Sequence, residues 1–147
     1  MNQYLILCLT FALSLTLTST VIAKDYNYIS PQDFKARLDA GEVEEGRLMV
    51  FSTQNHKEFA SGYLPVAVQT FARPLESEDD YRKLEIVLAR AKATTEDIVV
   101  ICPRGGSGAT RPYDYLQKNG IDASRMFILT KGQGAYNKAF PDDVVKP

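Results

Sequence analysis

At 147 residues, with 45% hydrophobic and 24% charged content, the chain has the size of one compact domain and is too short for two ordinary ones. A formal net charge of −1, a pI near 5.8 and the lack of any Lys/Arg run argue against nucleic acid or an anionic membrane as a partner held by bulk charge.

The first 23 residues, MNQYLILCLTFALSLTLTSTVIA, carry no charged side chain, are rich in Leu and end in Val21-Ile22-Ala23 ahead of Lys24. They read as a secretory signal peptide over residues 1–23, leaving a single domain over 24–147 in a periplasmic or secreted location, with no membrane span after cleavage. The competing expectation is a retained anchor, because the run from Tyr4 is nearly long enough to span a bilayer. Cleavage removes Cys8 and leaves Cys102 as the one thiol, so no intramolecular disulfide is possible in the mature chain.

Tyr26 to Ile29 alternates weakly, as an edge strand would. Ser30-Pro31-Gln32-Asp33 combines a capping serine, a proline at the first helical position and an acid at the third, which predicts a helix from Pro31 to Ala40 stopped by Gly41. Arg47 to Phe51 reads as a strand. Asn55 with Glu58 three residues later marks a short helix ending before Gly62, and His56 at its start reads as a solvated residue. Val66 to Gln69 is a short strand weakened by Pro65. Ser77 caps a longer helix with Glu78, Asp79 and Asp80 in its first turn and Tyr81, Leu84, Val87, Leu88 and Ala91 along one side.

Ile98 to Ile101 is a short, uninterrupted, largely β-branched run, suited to a strand buried on both faces. Cys102 follows at its carboxyl end, and Gly105, Gly106 and Gly108 come before a helix that runs to Asn119 and closes on Gly120. Pro112 lacks an N–H and should lie in the first turn, which sets the helix start between Ser107 and Arg111. Met126 to Leu129 is a further strand. Strands and helices alternate throughout, which implies a mainly parallel sheet covered by helices, with ligands bound beyond the carboxyl ends of the strands, where Cys102 lies.

The glycine loop allows amides to curl inward around an anion. A cysteine there has its thiolate stabilised chiefly by hydrogen bonds from the loop N–H groups, each contributing about 1.5–3 kcal/mol, rather than by the helix dipole. The same cradle suits a persulfide sulfur or a bound oxyanion. The bland alternative is a buried, inert cysteine at the end of a core strand.

The loop CPRGGSGATRPYDYL, the strand before it and the later FILTKGQGAY resemble the single-domain rhodanese family over about Ile29 to Phe140, and EFASGYLPVAVQ, Glu58 to Gln69, is similar to that family's glutamate–aromatic and glycine–histidine–isoleucine–proline segment. The resemblance implies an α/β, rhodanese-like fold with a mainly parallel central sheet of about five strands flanked by helices on both faces. It also implies a sulfurtransferase in which Cys102 is catalytic and moves a sulfane sulfur from a small anionic donor such as thiosulfate to a thiol or cyanide acceptor, or to a protein acceptor. The amides of Arg104, Gly105, Gly106, Ser107, Gly108 and Ala109 would bind substrate and persulfide. The Arg104 side chain would meet the anion or face solvent, and Arg111 would pair with Asp114 or a neighbouring acid.

Several positions depart from the family pattern. Ser52-Thr53-Gln54 replaces an aspartate-x-arginine and Tyr63 a histidine, removing charges that brace the site, and these changes favour the alternative of a non-catalytic sulfur carrier or protein-binding module. Thr130-Lys131 stands where glutamate-glycine is usual and Tyr136 where tryptophan is common; Lys131 would add charge near the substrate or remain a solvated loop lysine. The loop also resembles that of the cell-cycle phosphatases in length, but Gly108 stands where their phosphate-clamping arginine would be, which argues against phosphatase chemistry. No metal-site spacing and no nucleotide fingerprint appear, so catalysis without a cofactor is implied.

Overall fold

A computed structural model describes residues 24–147; the predicted leader over residues 1–23, with Cys8, lies outside the described residues. The elements are β1 (Tyr28–Ile29), α1 (Pro31–Asp39), β2 (Leu48–Ser52), α2 (His56–Ala60), β3 (Val68–Gln69), α3 (Glu78–Arg82), α4 (Glu85–Ala93), β4 (Asp97–Ile101), α5 (Ser107–Lys118), β5 (Met126–Leu129) and α6 (Gly132–Ala139). Short 3-10 turns cover Ala123–Arg125 and Pro141–Asp143.

The five strands pair in the order β1-β5-β4-β2-β3, and every pairing is parallel. β4 is central, with Val99 opposite Val50 on one side and Phe127 on the other. Its alternate residues feed two cores: Ile98 and Val100 pack with Met49, Leu84, Val87, Tyr113 and Leu116, while Val99 and Ile101 pack with Leu48, Val50, Phe34 and Tyr136. Burial on both faces explains why the strand needs no polar alternation. Among the described residues, no helix is long and apolar enough to cross a membrane.

The helix expected from Ser77 is two helices. Ser77 and Asp80 form a capping box on α3, and the Leu84 N–H then turns back to the Tyr81 carbonyl at 2.9 Å, a tightened three-residue closure. This break falls at Lys83 and Leu84, with Leu84 buried in the core, and α4 begins at Glu85. α6 was not expected. Gly132 and Gly134 lower helix propensity across its eight residues, and its stability comes from Tyr136, which is buried against Phe34.

At the amino end of β4, far from the loop, Glu96 is 4% exposed and accepts hydrogen bonds from Arg90 Nη2 (2.5 Å), Arg90 Nε (2.9 Å) and Thr94 Oγ1 (2.9 Å). The Arg90 guanidinium holds this carboxyl below the usual glutamate range against the opposing effect of burial. A depressed folded pKa stabilises above the unfolded value, and that contribution is lost as pH falls through the folded one. Glu96→Gln should therefore cost about 1–2 kcal/mol in urea unfolding at pH 7, with the gap to the parent narrowing below about pH 4.

Candidate functional site

Cys102 follows β4 at the carboxyl edge of the sheet, in the turn that leads to α5. Its backbone is clamped by the start of α6: the Gln133 N–H donates to the Cys102 carbonyl at 2.8 Å and the Gly134 N–H to the Pro103 carbonyl at 3.1 Å. Two glycines allow this contact. A methyl on Gly132 (φ +64°) would lie 2.1 Å from the Cys102 carbonyl oxygen and 2.6 Å from the Arg104 and Gly105 nitrogens. One on Gly105 (φ +72°) would lie 2.9 Å from the Lys131 nitrogen and 3.0 Å from the Leu129 oxygen. The two turns interlock backbone to backbone.

The Cys102 sulfur accepts the Gly105 N–H at 3.1 Å. The residue is 1% exposed, and its side chain closes the larger of the two cores. Arg104, Gly106 and Ser107 are exposed, whereas Gly108 and Ala109 are buried. The expected ring of inward amides is therefore incomplete around this sulfur: the Ala109 and Thr110 N–H groups both go to the Gly106 carbonyl, at 2.8 and 3.1 Å, as the first turn of α5 closes.

Pro112 is the sixth residue of α5, not in its first turn. A proline in the helix interior leaves the carbonyl four residues earlier without its donor, here Gly108. Thr53, buried just past the end of β2, donates its hydroxyl to the Gly108 carbonyl at 2.7 Å and its N–H to the Ile101 carbonyl at 2.9 Å. One residue thus ties β2, β4 and α5 together, and its hydroxyl replaces the hydrogen bond that Pro112 cannot make. Ser52 donates to Gln54 Oε1 at 3.1 Å, and Gln54 Nε2 donates to the Gly62 and Glu58 carbonyls at 3.0 and 3.3 Å. Ser52-Thr53-Gln54 therefore braces the site with neutral hydrogen bonds in place of charge. Tyr63 stacks on Phe59 at 4.0 Å and bridges Val145 through its backbone.

A cation also reaches the site from a segment that sequence patterning passes over. Arg73 lies between β3 and α3; its N–H donates to the Thr53 carbonyl at 3.1 Å and its guanidinium pairs with Glu58 Oε1 at 3.1 Å. A methyl on Gly108 would meet Arg73 Nη1 at 3.1 Å, Arg73 Cδ at 3.2 Å and Cys102 Cβ at 3.1 Å. The guanidinium thus lies over Gly108, beside the cysteine, and the missing side chain at Gly108 makes the room for it. Glu58 holds its position through the capping box of α2, where Oε2 accepts the Asn55 N–H at 2.9 Å. The neighbouring Pro74 carbonyl accepts from Arg111 Nη1 at 3.0 Å.

Of the two partners expected for Arg111, the structure gives the neighbouring acid, Glu76, and not Asp114. Asp114 faces the other way along α5, toward Lys24 and Tyr26, while Arg111 faces residues 74–76 and lies 3.5 Å from Glu76. Arg104 is exposed, with no ion pair among the described residues, and Lys131 is exposed in the left-handed conformation (φ +56°) that opens α6. His56 stacks on Phe71 at 4.2 Å and is exposed. Among the described residues no group of three His, Cys, Asp or Glu side chains is placed to hold a metal ion.

No protein-family model and no curated protein matches the sequence. Solved structures do match in shape. An As-Sb reductase from Leishmania major superposes with a TM-score of 0.60 at 17% identity, covering 80% of this chain and 81% of that one. A Saccharomyces cerevisiae protein described as a homologue of single-domain rhodanese and the Cdc25 phosphatase catalytic domain gives 0.59 at 14%, covering 81% and 86%. A rhodanese-related protein from Thermoplasma volcanium gives 0.54 at 16%, covering 83% and 100%. The class defined by the parallel sheet, its helices and the strand-to-helix cysteine turn is a single-domain α/β protein of rhodanese-like fold.

Proposed function

We propose that the chain is a sulfurtransferase of the secreted or periplasmic space, working without a cofactor through a persulfide on Cys102. The observation that carries this reading is the cysteine at the end of the central strand, its sulfur already accepting one loop N–H from Gly105. In the first half-reaction the Cys102 thiolate attacks the outer sulfur of thiosulfate. The donor's S–S bond breaks, sulfite leaves with the electron pair, and the cysteine carries a terminal persulfide anion. In the second, cyanide or a thiolate attacks that terminal sulfur and leaves as thiocyanate or a new persulfide, regenerating the thiolate.

Burial of Cys102 favours a second reading, a carrier or binding module that yields its sulfur only to a protein partner able to open the loop. Turnover separates the two: an enzyme shows ping-pong kinetics with small acceptors, and a carrier loads once and stops. The first test is intact mass after exposure to thiosulfate. Gain of one sulfur on the parent and none on Cys102→Ser is the expected result; a parent that gains nothing refutes both readings. The same measurement reports whether the chain begins at Lys24, as the leader assignment requires.

A further inference from the structure

The clamp that the loop lacks at Gly108 has a substitute in space. Arg73 lies over that glycine, within van der Waals reach of the position that also touches Cys102 Cβ, and its Nε–H is buried with no acceptor among the described residues. A guanidinium offers five donors in a planar fork suited to an oxyanion, and a buried donor without a partner is one that a ligand can satisfy. Its partner Glu58 neutralises part of its charge without taking every N–H, and is itself fixed by the helix cap. The segment that carries Arg73 is held at both ends, by Thr53 on its N–H and by Arg111 on the next carbonyl.

We propose that Arg73 is the anion-binding residue of the Cys102 site and determines its specificity for a doubly charged oxyanion, holding the sulfonate end of thiosulfate so that the outer sulfur meets Cys102. Naming thiosulfate as the ligand rests on the sulfur-transfer reading above; the oxyanion site does not. The role expected of Arg104 thereby passes to a residue outside the loop, and Gly108 is the other half of the same arrangement. The absence of an arginine at position 108 then no longer argues against oxyanion chemistry, because the cation enters from the side.

The test is calorimetric titration of thiosulfate into the Cys102→Ser protein, which cannot turn the ligand over. Adding Arg73→Gln should weaken binding about tenfold, and Arg73→Lys should restore part of it. Adding Glu58→Gln, which keeps an acceptor for the α2 cap and removes a competing charge, should tighten binding about threefold. Undiminished binding with Arg73→Gln, loss confined to Arg104→Gln, or no binding by the parent up to about 20 mM overturns the proposal. If Arg73→Gln fails to fold, Glu58→Gln decides alone: tighter binding supports the site, and unchanged or weaker binding overturns it. A parent that binds thiosulfate through Arg73 while the cysteine-bearing chain gains no sulfur keeps the oxyanion site and removes sulfur transfer. Sulfur gain with binding indifferent to Arg73 does the reverse.

Discussion

Gly132→Ala should destabilise the protein by about 3 kcal/mol or more, lowering its Tm by about 10 °C. Two costs add. The residue sits at φ +64°, where an L side chain is strained, and its new methyl would meet the Cys102 carbonyl oxygen at 2.1 Å and two loop nitrogens at 2.6 Å. All three obstacles are backbone atoms, so no side chain can swing aside to relieve them. Gly134→Ala is the comparison: its nearest obstacle is the Pro103 oxygen at 3.3 Å, φ is not positive, and alanine favours the helix, so it should change stability by less than about 1 kcal/mol. Thermal unfolding followed by circular dichroism measures both. Equal Tm values for the two variants would show that the turn opening α6 is not locked against the cysteine turn.

Cys102→Ser should lower sulfur transfer by at least about 10³-fold while leaving urea stability within about 1 kcal/mol of the parent. The first expectation follows from chemistry: a serine oxygen at neutral pH is a poor nucleophile toward sulfane sulfur and cannot form the persulfide. The second follows from structure, since the smaller hydroxyl fits the same space and can still accept the Gly105 N–H that now reaches sulfur at 3.1 Å. Thiocyanate formation from thiosulfate and cyanide, with unfolding curves on the same preparations, gives both numbers. Residual transfer within tenfold of the parent would remove Cys102 from the mechanism.

Much of this architecture was legible in local chemistry. The Asn55–Glu58 and Ser77–Asp80 caps satisfy helix ends within a few residues, and the β-branched run before Cys102 has to lie between covered faces whatever its neighbours are. What escaped depends on distant partners. Pro112 sits in the helix interior, where Thr53, 59 positions earlier, supplies the donor that Gly108 would otherwise lack. Arg111 turns away from Asp114 because carbonyls of residues 74 and 75 lie across from it and Lys24 competes for the acid. Arg73 belongs to a non-periodic stretch with no motif of its own; β3 pairing beside β2 carries it to the cysteine. α6 was hidden by its two glycines, which read as loop residues until their close approach to the cysteine turn is seen.

The backbone grip on Cys102 also gives its turn two unlike edges. Hydrogen bonds from Gln133 and Gly134 immobilise the inner rim of the turn, and a second glycine fills the last space behind it. The outer rim, with Arg104, Gly106 and Ser107, is in contact with water. The turn is thus asymmetric, anchored along one edge by main-chain hydrogen bonds and solvated along the other, like a door hinged on one side.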